Sequence, residues 1–197
     1  MVGGTVIMAC LEKARTILIG MNPFERQANM AEVRKHTSIP LATNMCTTSF
    51  EELPQAIALG SEDIILSDHH FWGGLEATTQ LGRICSVFGR KLSMHSNSHL
   101  GISLMAMAHL GCAIPELAYE LDTHYPWQSD EIIKGGRIRF EDGGVSVSNE
   151  PGLGIELDHE ALGVLHQTFL NCGIRDRDDE VEMQKIDPSW RFKWDRW

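Results

Sequence analysis

The feature that most constrains this fold is a rhythm of short apolar runs, each followed by a stretch with a helical pattern. The runs end near residues 21, 44, 68, 95 and 122, so successive ends lie 23 to 27 residues apart. This is the length that a strand, a helix and two short loops need when consecutive strands lie parallel. The rhythm predicts five consecutive βα units, with strands over residues 14–23, 39–45, 63–68, 90–96 and 116–124.

The helical stretches carry their own start and stop signals. Pro54 suits a first helical turn and Gly60 suits the end of the same helix. After residue 125 the rhythm breaks, and residues 142–144 predict a β-hairpin turn. A further helix is expected to begin after Asp158 and to end at Gly173. Five βα units indicate an α/β fold, which is either a barrel or an open doubly wound sheet.

Composition excludes several classes of function. The formal charge of −10 at pH 7 argues against nucleic-acid binding, because no basic stripe is available to neutralise phosphates. The longest uncharged run, from Leu92 to Pro115, is interrupted by His, Ser and Asn, so no membrane span is predicted. The five cysteines are widely spaced without a Cys-x-x-Cys pair, which predicts reduced and mostly buried thiols. With no recognisable signal peptide, a cytoplasmic protein is expected.

Four polar residues lie at or just after the predicted strand ends: Asn44, Asp68, His95 and His124. Active sites of parallel α/β folds are built at this edge, because the βα loops converge there. Each residue alone has an ordinary explanation, as a helix cap for Asn44, a turn former for Asp68 and a satisfied surface imidazole for His95. Their recurrence on successive strands favours a common site over separate coincidences.

The residues at this edge permit acid–base chemistry with a metal ion. Asp68 and His95 end neighbouring predicted strands, so their side chains are expected to meet. A carboxylate beside an imidazole raises the pKa of the imidazole, fixes its tautomer and makes it a competent general base. Asn44 offers an amide oxygen, which suits Mg²⁺ as one ligand among several.

Three further residues are candidates for binding a substrate. Ser96 and Asn97 supply hydrogen-bond donors to a substrate oxygen, and Arg177 is able to clamp a carboxylate with two hydrogen bonds. For Arg177, a solvated charge run is the favoured interpretation on the residues alone, because Asp176 and Asp178 flank it.

A zinc hydrolase is the other chemistry to consider. Histidines are numerous in this part of the chain, namely His69, His70, His95, His99 and His124. They follow no His-Glu-x-x-His pattern, and neither His69-His70 nor the pair His95 and His99 has a companion carboxylate at a recognised ligand spacing. The sequence therefore does not favour zinc.

Seven motifs, in order from about Met30 to the end of the chain, resemble the C-terminal half of glucarate dehydratase and its relatives. These enzymes form part of the mandelate racemase branch of the enolase superfamily. The motifs are LATNM, LSDHHFW, MHSNSHLGISL, ELDTHYPWQ, KGG, PGLGIELD and RDRDDEVEMQ. The resemblance implies the C-terminal part of a (β/α) TIM-type barrel. It also implies a Mg²⁺-dependent, D-glucarate-type hydro-lyase, which removes the proton α to a carboxylate and then eliminates water from a small dicarboxylic acid sugar.

The resemblance also implies a role for each matched residue. His95 would be the general base, with Asp68 as its partner, and Asn44 would bind the metal and touch the substrate. The other implied substrate-binding residues are His95, Ser96, Asn97, His124 and Arg177. An enolate needs a cation to stabilise its negative charge, so a Mg²⁺ cofactor agrees with these roles. The resemblance thus reverses the interpretation of Arg177.

The sequence departs from the family pattern near its start. The family carries an N-terminal capping domain and a Lys-x-Lys strand, for which this chain has no room. Where the family's fourth strand ends in a Glu-Asp-Pro-like motif, this chain has Met21, Asn22 and Pro23. A methionine is a poor ligand for Mg²⁺, which leaves Glu25 as the nearest substitute.

These departures divide the chain into three expected parts. Residues 1–29 would be a divergent or artificial start with one candidate barrel strand. Residues 30–128 would be βα units of the barrel, and residues 129–197 a hairpin, a helix and a C-terminal extension.

A barrel that needs eight strands cannot close on five, which would leave two strand edges and an apolar interior uncovered. We therefore expect a homo-oligomer or a partner chain to cover the open edges. Because only one expected metal ligand, Asn44, is retained, we also expect no dehydratase activity from the chain alone. The alternative function is a truncated, catalytically inactive remnant or interaction module of the same family.

Overall fold

The computed structural model describes residues 23–96, 98–173 and 178–191. Among these residues, three parallel strands form one sheet in the order β1 (Ala42–Thr43), β2 (Ile64–Ser67) and β3 (Lys91–Met94). The helices are α1 (Pro23–Arg34), α2 (Leu53–Leu59), α3 (Leu75–Val87), α4 (Gly101–Ala113), α5 (His159–Cys172) and α6 (Asp179–Gln184), with a 3₁₀ turn at Tyr125–Trp127. Helices alternate with parallel strands, so the predicted α/β class is confirmed.

The three described strands lie inside the runs predicted for them but are shorter. Ile64 pairs with Ala42 on one side and with Lys91 on the other, which sets the parallel register of the sheet. The predicted strand over residues 14–23 lies outside the described residues, except that Pro23 begins helix α1.

The fifth predicted strand, over residues 116–124, is wrong as a strand. This segment runs parallel to β3 but forms isolated bridges only, between Leu92 and Leu117 and between His95 and Asp122. The Asp122 N–H donates to the Met94 carbonyl oxygen at 2.9 Å, and the Ser96 N–H donates to the Asp122 carbonyl oxygen at 3.0 Å. The segment therefore still brings its end beside the end of β3.

The predicted helix signals are confirmed where the structure describes them. Pro54 lies in the first turn of α2, and Gly60 ends that helix with φ +63°, a conformation that glycine adopts without steric cost. The Asp158 carboxylate accepts hydrogen bonds from the N–H groups of Glu160 and Ala161, and α5 ends at Gly173.

The core lies between the sheet and helices α2, α3 and α4. Its most buried members include Ile65, Leu81, Leu92, Met94 and Tyr125. The sequence pattern predicts Leu75, Leu81, Ile84 and Phe88 on one side of α3, but Leu75 and Phe88 are exposed. The helix instead buries Thr78, Leu81, Gly82 and Cys85.

The described residues fall into two units that divide between Leu157 and Asp158. The first unit contains the sheet and a tight turn in which Glu141 and Gly144 form an antiparallel bridge around Asp142 and Gly143. The turn lies where the β-hairpin was predicted, but no strands flank it among the described residues, so the hairpin itself is wrong. The second unit contains α5 and α6. The three-part division at residues 29/30 and 128/129 stays a prediction.

Two further expectations concern cysteines and membranes. Cys46 and Cys85 are buried as predicted, whereas Cys112 and Cys172 are exposed; Cys46, Cys85 and Cys112 are free thiols. None of the helices in the described ranges is long and apolar enough to cross a membrane.

Candidate active site

The ends of the three strands place polar side chains along one edge of the sheet. Asn44 directly follows β1, Asp68 follows β2 and His95 follows β3. Because the strands are parallel, these positions share the carboxyl-terminal edge, as the sequence predicts. His124 follows the segment that bridges to β3 and joins them there.

Asp68 is buried, and its carboxylate is occupied within its own turn. Its Oδ1 atom lies 2.6 Å from His70 Nδ1 and accepts the N–H of His70 at 2.9 Å. The other ring nitrogen of His70, Nε2, lies 2.9 Å from the Ser103 hydroxyl oxygen. Asp68 thus contacts His70 in its own turn, whereas the sequence predicted a contact with His95.

His95 is paired with a different carboxylate. Its Nδ1 atom lies 2.6 Å from Asp122 Oδ2, on the segment that bridges to β3. Asp68 and His95 therefore have other hydrogen-bond partners in this structure, and their direct pairing stays a prediction. Parallel strand ends bring backbones together, but the direction of each side chain depends on the nearest partner, which for His95 is Asp122 and for Asp68 is His70.

Ser96 and His99, in the loop that follows β3, contact each other and Thr123. The Ser96 hydroxyl donates to Thr123 Oγ1 at 3.0 Å, and His99 Nε2 lies 2.9 Å from Ser96 Oγ and 3.0 Å from Thr123 Oγ1. Ser96 and His99 are both buried. Burial, with His69 and His70 nearby, lowers the pKa of His99 to about 4, so its imidazole is neutral at neutral pH.

His124 lies beside the candidate base. Its ring centroid is 5.6 Å from that of His95, in an edge-to-face arrangement, and 5.2 Å from that of Trp127. His124 is half-buried, whereas 81% of Trp127 is exposed. These contacts place two imidazoles and one exposed aromatic ring next to the end of β3.

Asn44 is half-buried at the end of β1. Next to it, the Arg26 guanidinium donates to the Met45 carbonyl oxygen at 3.1 Å. Glu25 is exposed on the first turn of α1. Two predicted substrate-binding residues, Asn97 and Arg177, lie outside the described residues.

Sequence reasoning missed two features of this edge. Asp122 lies within the motif ELDTHYPWQ but was given no role there, and its contact with His95 is visible only in the structure. Asp68, His69 and His70 each offer one ligand atom, and these atoms lie within 4.8 Å of one another. The expectation that His69-His70 has no companion carboxylate is thus wrong, because the preceding residue supplies one.

Residues 21–161 match the family model for enolase C-terminal domain-like proteins. Over 163 residues the chain is 50% identical to a probable glucarate dehydratase of Streptomyces coelicolor, a match that covers 82% of this chain and 38% of the relative. Among solved structures, it is similar to an enolase from Mycobacterium smegmatis complexed with formate and acetate. The TM-score is 0.79 and the identity 51%, over 87% of this chain and 40% of the other.

A second similar structure is an enolase from Pseudomonas fluorescens with bound magnesium, potassium and tartrate. The TM-score is 0.79 and the identity 54%, over 84% of this chain and 39% of the other. The expected fold, part of an enolase-type (β/α) barrel, is confirmed by these matches. The chain spans about two fifths of the length of these relatives.

Proposed function

We propose that this chain, which belongs to the enolase C-terminal domain-like family, carries the general base of a Mg²⁺-dependent acid-sugar dehydratase. The substrate class is a small dicarboxylic acid sugar of the D-glucarate type, in line with the name of the relative from Streptomyces coelicolor. The observation that carries the proposal is the position of His95 at the end of β3, on the edge shared with Asn44 and Asp68. As a lyase of this type, the enzyme would remove a proton α to a carboxylate and then eliminate water.

The contact between His95 and Asp122 suits a base. An ionised carboxylate only accepts hydrogen bonds, so the proton between them belongs to His95 Nδ1. The neutral ring then has its lone pair at Nε2, which is the atom that would take the substrate proton. Asp122 orients the ring in this structure, and Asp68 is proposed as the partner of His95 when the rest of the barrel is present.

The Asn44 side chain is a suitable type of ligand for the proposed Mg²⁺, but the described residues around it supply too few ligands. Its amide oxygen suits Mg²⁺, a hard ion that prefers six oxygen ligands. Among the described residues, however, no cluster of acidic groups surrounds Asn44, and the Arg26 guanidinium lies beside its neighbour Met45. When bound, Mg²⁺ would supply the positive charge that offsets the negative charge left by proton removal.

The proposed substrate contacts come from the same edge and from the C-terminal segment. Ser96 and His124 lie next to His95 in the structure, while Asn97 and Arg177 belong to the matching motifs. Arg177 is proposed to bind a substrate carboxylate, because a guanidinium makes two parallel hydrogen bonds to that group.

The alternative function is a catalytically inactive remnant or interaction module of this family. The observation that favours it is the incomplete ligand set around Asn44 in the described part of the chain. Both candidate functions have the same fold. They differ in whether His95 can remove a substrate proton once further Mg²⁺ ligands are supplied.

A hybrid enzyme tests the proposal. Residues 30–197 are joined to the part of the Streptomyces coelicolor relative that precedes its matched region, and D-glucarate consumption is followed with and without Mg²⁺. The proposal predicts Mg²⁺-dependent turnover that His95→Gln lowers by at least about 10²-fold. A folded hybrid without turnover, or one that His95→Gln leaves unchanged, contradicts the proposal and favours the remnant.

We also propose that a second copy of the chain or a partner chain covers two exposed features, the end of α3 and the outer edge of β1. Val87 is 79% exposed and Phe88 is 54% exposed at the end of α3, and the outer edge of β1 has no strand partner among the described residues. Unpaired edges and apolar surface both favour association. Light scattering on the purified chain should report a dimer or a larger species, and a stable monomer at micromolar concentration would argue against this proposal.

A cytoplasmic location is proposed on the basis of the cysteines. Cys46, Cys85 and Cys112 are free thiols, which is the usual state in a reducing compartment.

A further inference from the structure

Three consecutive residues after β2 form a compact group of metal-ligating atoms. Asp68, His69 and His70 each contribute one ligand atom, and all three atoms lie within 4.8 Å of one another. Asp68 and His69 are buried, whereas 47% of the His70 side chain is exposed, so the group opens to solvent on one side. This arrangement gives an ion a route to the carboxylate.

The chemistry of the group selects a class of ion. Two imidazoles and a carboxylate suit zinc and similar divalent transition metals, whereas Mg²⁺ prefers an all-oxygen shell. Around a tetrahedral zinc ion, such ligand atoms lie about 3.3 Å apart. The 2.6 Å separation between Asp68 Oδ1 and His70 Nδ1 would therefore need to open by only about 0.7 Å.

The turn that carries these ligands is held in place by backbone and core contacts. The N–H groups of Phe71 and Trp72 both donate to the Asp68 carbonyl oxygen, at 3.0 and 3.1 Å. Trp72 is buried and packs edge-to-face against Phe50, with ring centroids 5.2 Å apart. A ligand set on such an anchored turn is largely preorganised.

A neighbouring hydroxyl supports His70 as a ligand. Ser103 Oγ lies 2.9 Å from His70 Nε2, on the opposite side of the ring from Asp68. A serine hydroxyl can donate or accept a hydrogen bond. It can therefore donate to Nε2 when the ring proton is on Nδ1, and it can accept from Nε2–H when a metal ion is bound at Nδ1. Outer hydrogen bonds of this kind orient metal-binding histidines in general.

A buried polar atom without a partner lies near these residues. His99 is only 8% exposed, and its ring lies 6.5 Å from that of His70. Its Nε2 atom contacts Ser96 and Thr123, but its buried Nδ1 atom has no hydrogen-bond partner in the part of the chain that the structure describes. An unsatisfied buried nitrogen in a polar environment is commonly explained by a bound water or ion.

We propose that Asp68, His69 and His70 form a binding site for one divalent transition-metal ion of the zinc type. This site is distinct from the Mg²⁺ ligand proposed at Asn44. Asp68 is also the proposed partner of His95, but the metal site depends on the turn after β2 and not on dehydratase activity. Co²⁺ binding without turnover, or turnover without Co²⁺ binding, would therefore separate the two proposals.

Cobalt titration of the untagged 197-residue chain tests this site, because Co²⁺ replaces zinc and absorbs visible light strongly when tetrahedral. We expect saturation at one Co²⁺ per chain, displacement by Zn²⁺, and no displacement by excess Mg²⁺. Asp68→Asn keeps the acceptor for the His70 N–H but removes the carboxylate, and His70→Gln changes an exposed side chain. Each should weaken Co²⁺ binding by more than about tenfold.

Two further variants serve as matched controls. His166→Gln alters an exposed histidine of α5, and Asn44→Ala alters the proposed Mg²⁺ ligand; neither should change Co²⁺ binding. The proposal is overturned if Co²⁺ does not saturate, if Asp68→Asn and His70→Gln both bind as the parent does, or if either control variant loses the site.

Discussion

His95 Nδ1 lies 2.6 Å from Asp122 Oδ2, whereas the carboxylate of Asp68 is bound to His70 at the same distance. Two imidazole–carboxylate pairs thus stand on neighbouring segments at one edge of the sheet. In each pair the carboxylate fixes the proton on Nδ1. The candidate base therefore presents Nε2, the nitrogen that Asp122 does not occupy.

Replacing each carboxylate residue in turn should show which imidazole it holds. Hydrogen-bonded imidazole N–H protons give far-downfield signals in ¹⁵N-edited NMR, which His95→Gln and His70→Gln assign. We expect Asp122→Ala to remove the His95 signal and Asp68→Ala to remove the His70 signal. Loss of the His95 signal in Asp68→Ala, with no change in Asp122→Ala, would show that Asp68 and His95 pair directly in solution.

The buried carboxyl of Glu62 makes the free energy of unfolding depend on pH. The Glu62 carboxyl is buried and accepts hydrogen bonds from the Thr47 and Ser61 hydroxyls. Burial raises its pKa, against the opposing effects of these hydrogen bonds and of Arg90 and Arg34. A raised carboxyl pKa means that its stabilising contribution is present below the unfolded-state pKa and is lost as the pH rises through the folded-state pKa.

We therefore expect Glu62→Gln to gain stability over the parent as the pH rises from about 5 to about 8. Denaturant unfolding at several pH values measures this gain. Glu51 is an exposed control whose pKa is shifted in the opposite direction, because hydrogen bonds from its own N–H and from Ser49 lower its pKa. Its contribution is lost as the pH falls, so Glu51→Gln should show no gain at high pH. A Glu62→Gln difference that is constant with pH would contradict the expectation.

Gly82 allows α3 to approach the residues that follow α4. A Cβ atom on Gly82 would lie 2.7 Å from Ile114 Cγ2 and 3.5 Å from Leu92 Cδ2, both in the core. We expect Gly82→Ala to lower the free energy of unfolding by about 1 to 3 kcal/mol, since overpacking outweighs the better helix propensity of alanine. Denaturant unfolding followed by circular dichroism measures the change.

Gly163 is the matched control, because it lies inside α5 with no atom within 4 Å of an added Cβ. Gly163→Ala should be neutral or stabilising by about 0.5 to 1 kcal/mol. Equal effects of the two substitutions would show that Gly82 is not tightly packed.

The cysteines should differ in reactivity. Burial raises the pKa of Cys85 to about 12 and also raises that of Cys46, and the thiolate is the reactive form. Cys112 and Cys172 are exposed. Brief maleimide treatment of the native chain, followed by peptide mapping, should label Cys112 and Cys172, with Cys46 and Cys85 labelled only after unfolding. Native labelling of Cys85 as fast as that of Cys112 would contradict the buried core of the structure.

Much of the fold could be predicted because its signals are local. The strands β2 and β3 lie within the predicted apolar runs, and the ends of α5 follow from the cap at Asp158 and the left-handed glycine at Gly173. The fifth predicted strand does not form, because the segment from Leu117 to Asp122 runs beside β3 with isolated bridges only, at Leu117 and at Asp122.

The candidate site was predicted in position but not in its contacts. Strand order places Asp68 and His95 on one edge, yet side-chain direction is decided by distances of a few ångströms that sequence spacing does not resolve. Asp68 reaches the residue two positions later, and His95 reaches Asp122 on the next segment. The ligand group of Asp68, His69 and His70 was missed for the same reason.

The most direct test of the proposed function compares the 197-residue chain with the hybrid in one assay of D-glucarate consumption at saturating Mg²⁺. We expect turnover by the hybrid and none by the chain alone above the background of its His95→Gln variant, because Asn44 is one ligand of a set that the described residues do not complete. Turnover by the chain alone at a rate close to that of the hybrid would contradict this expectation.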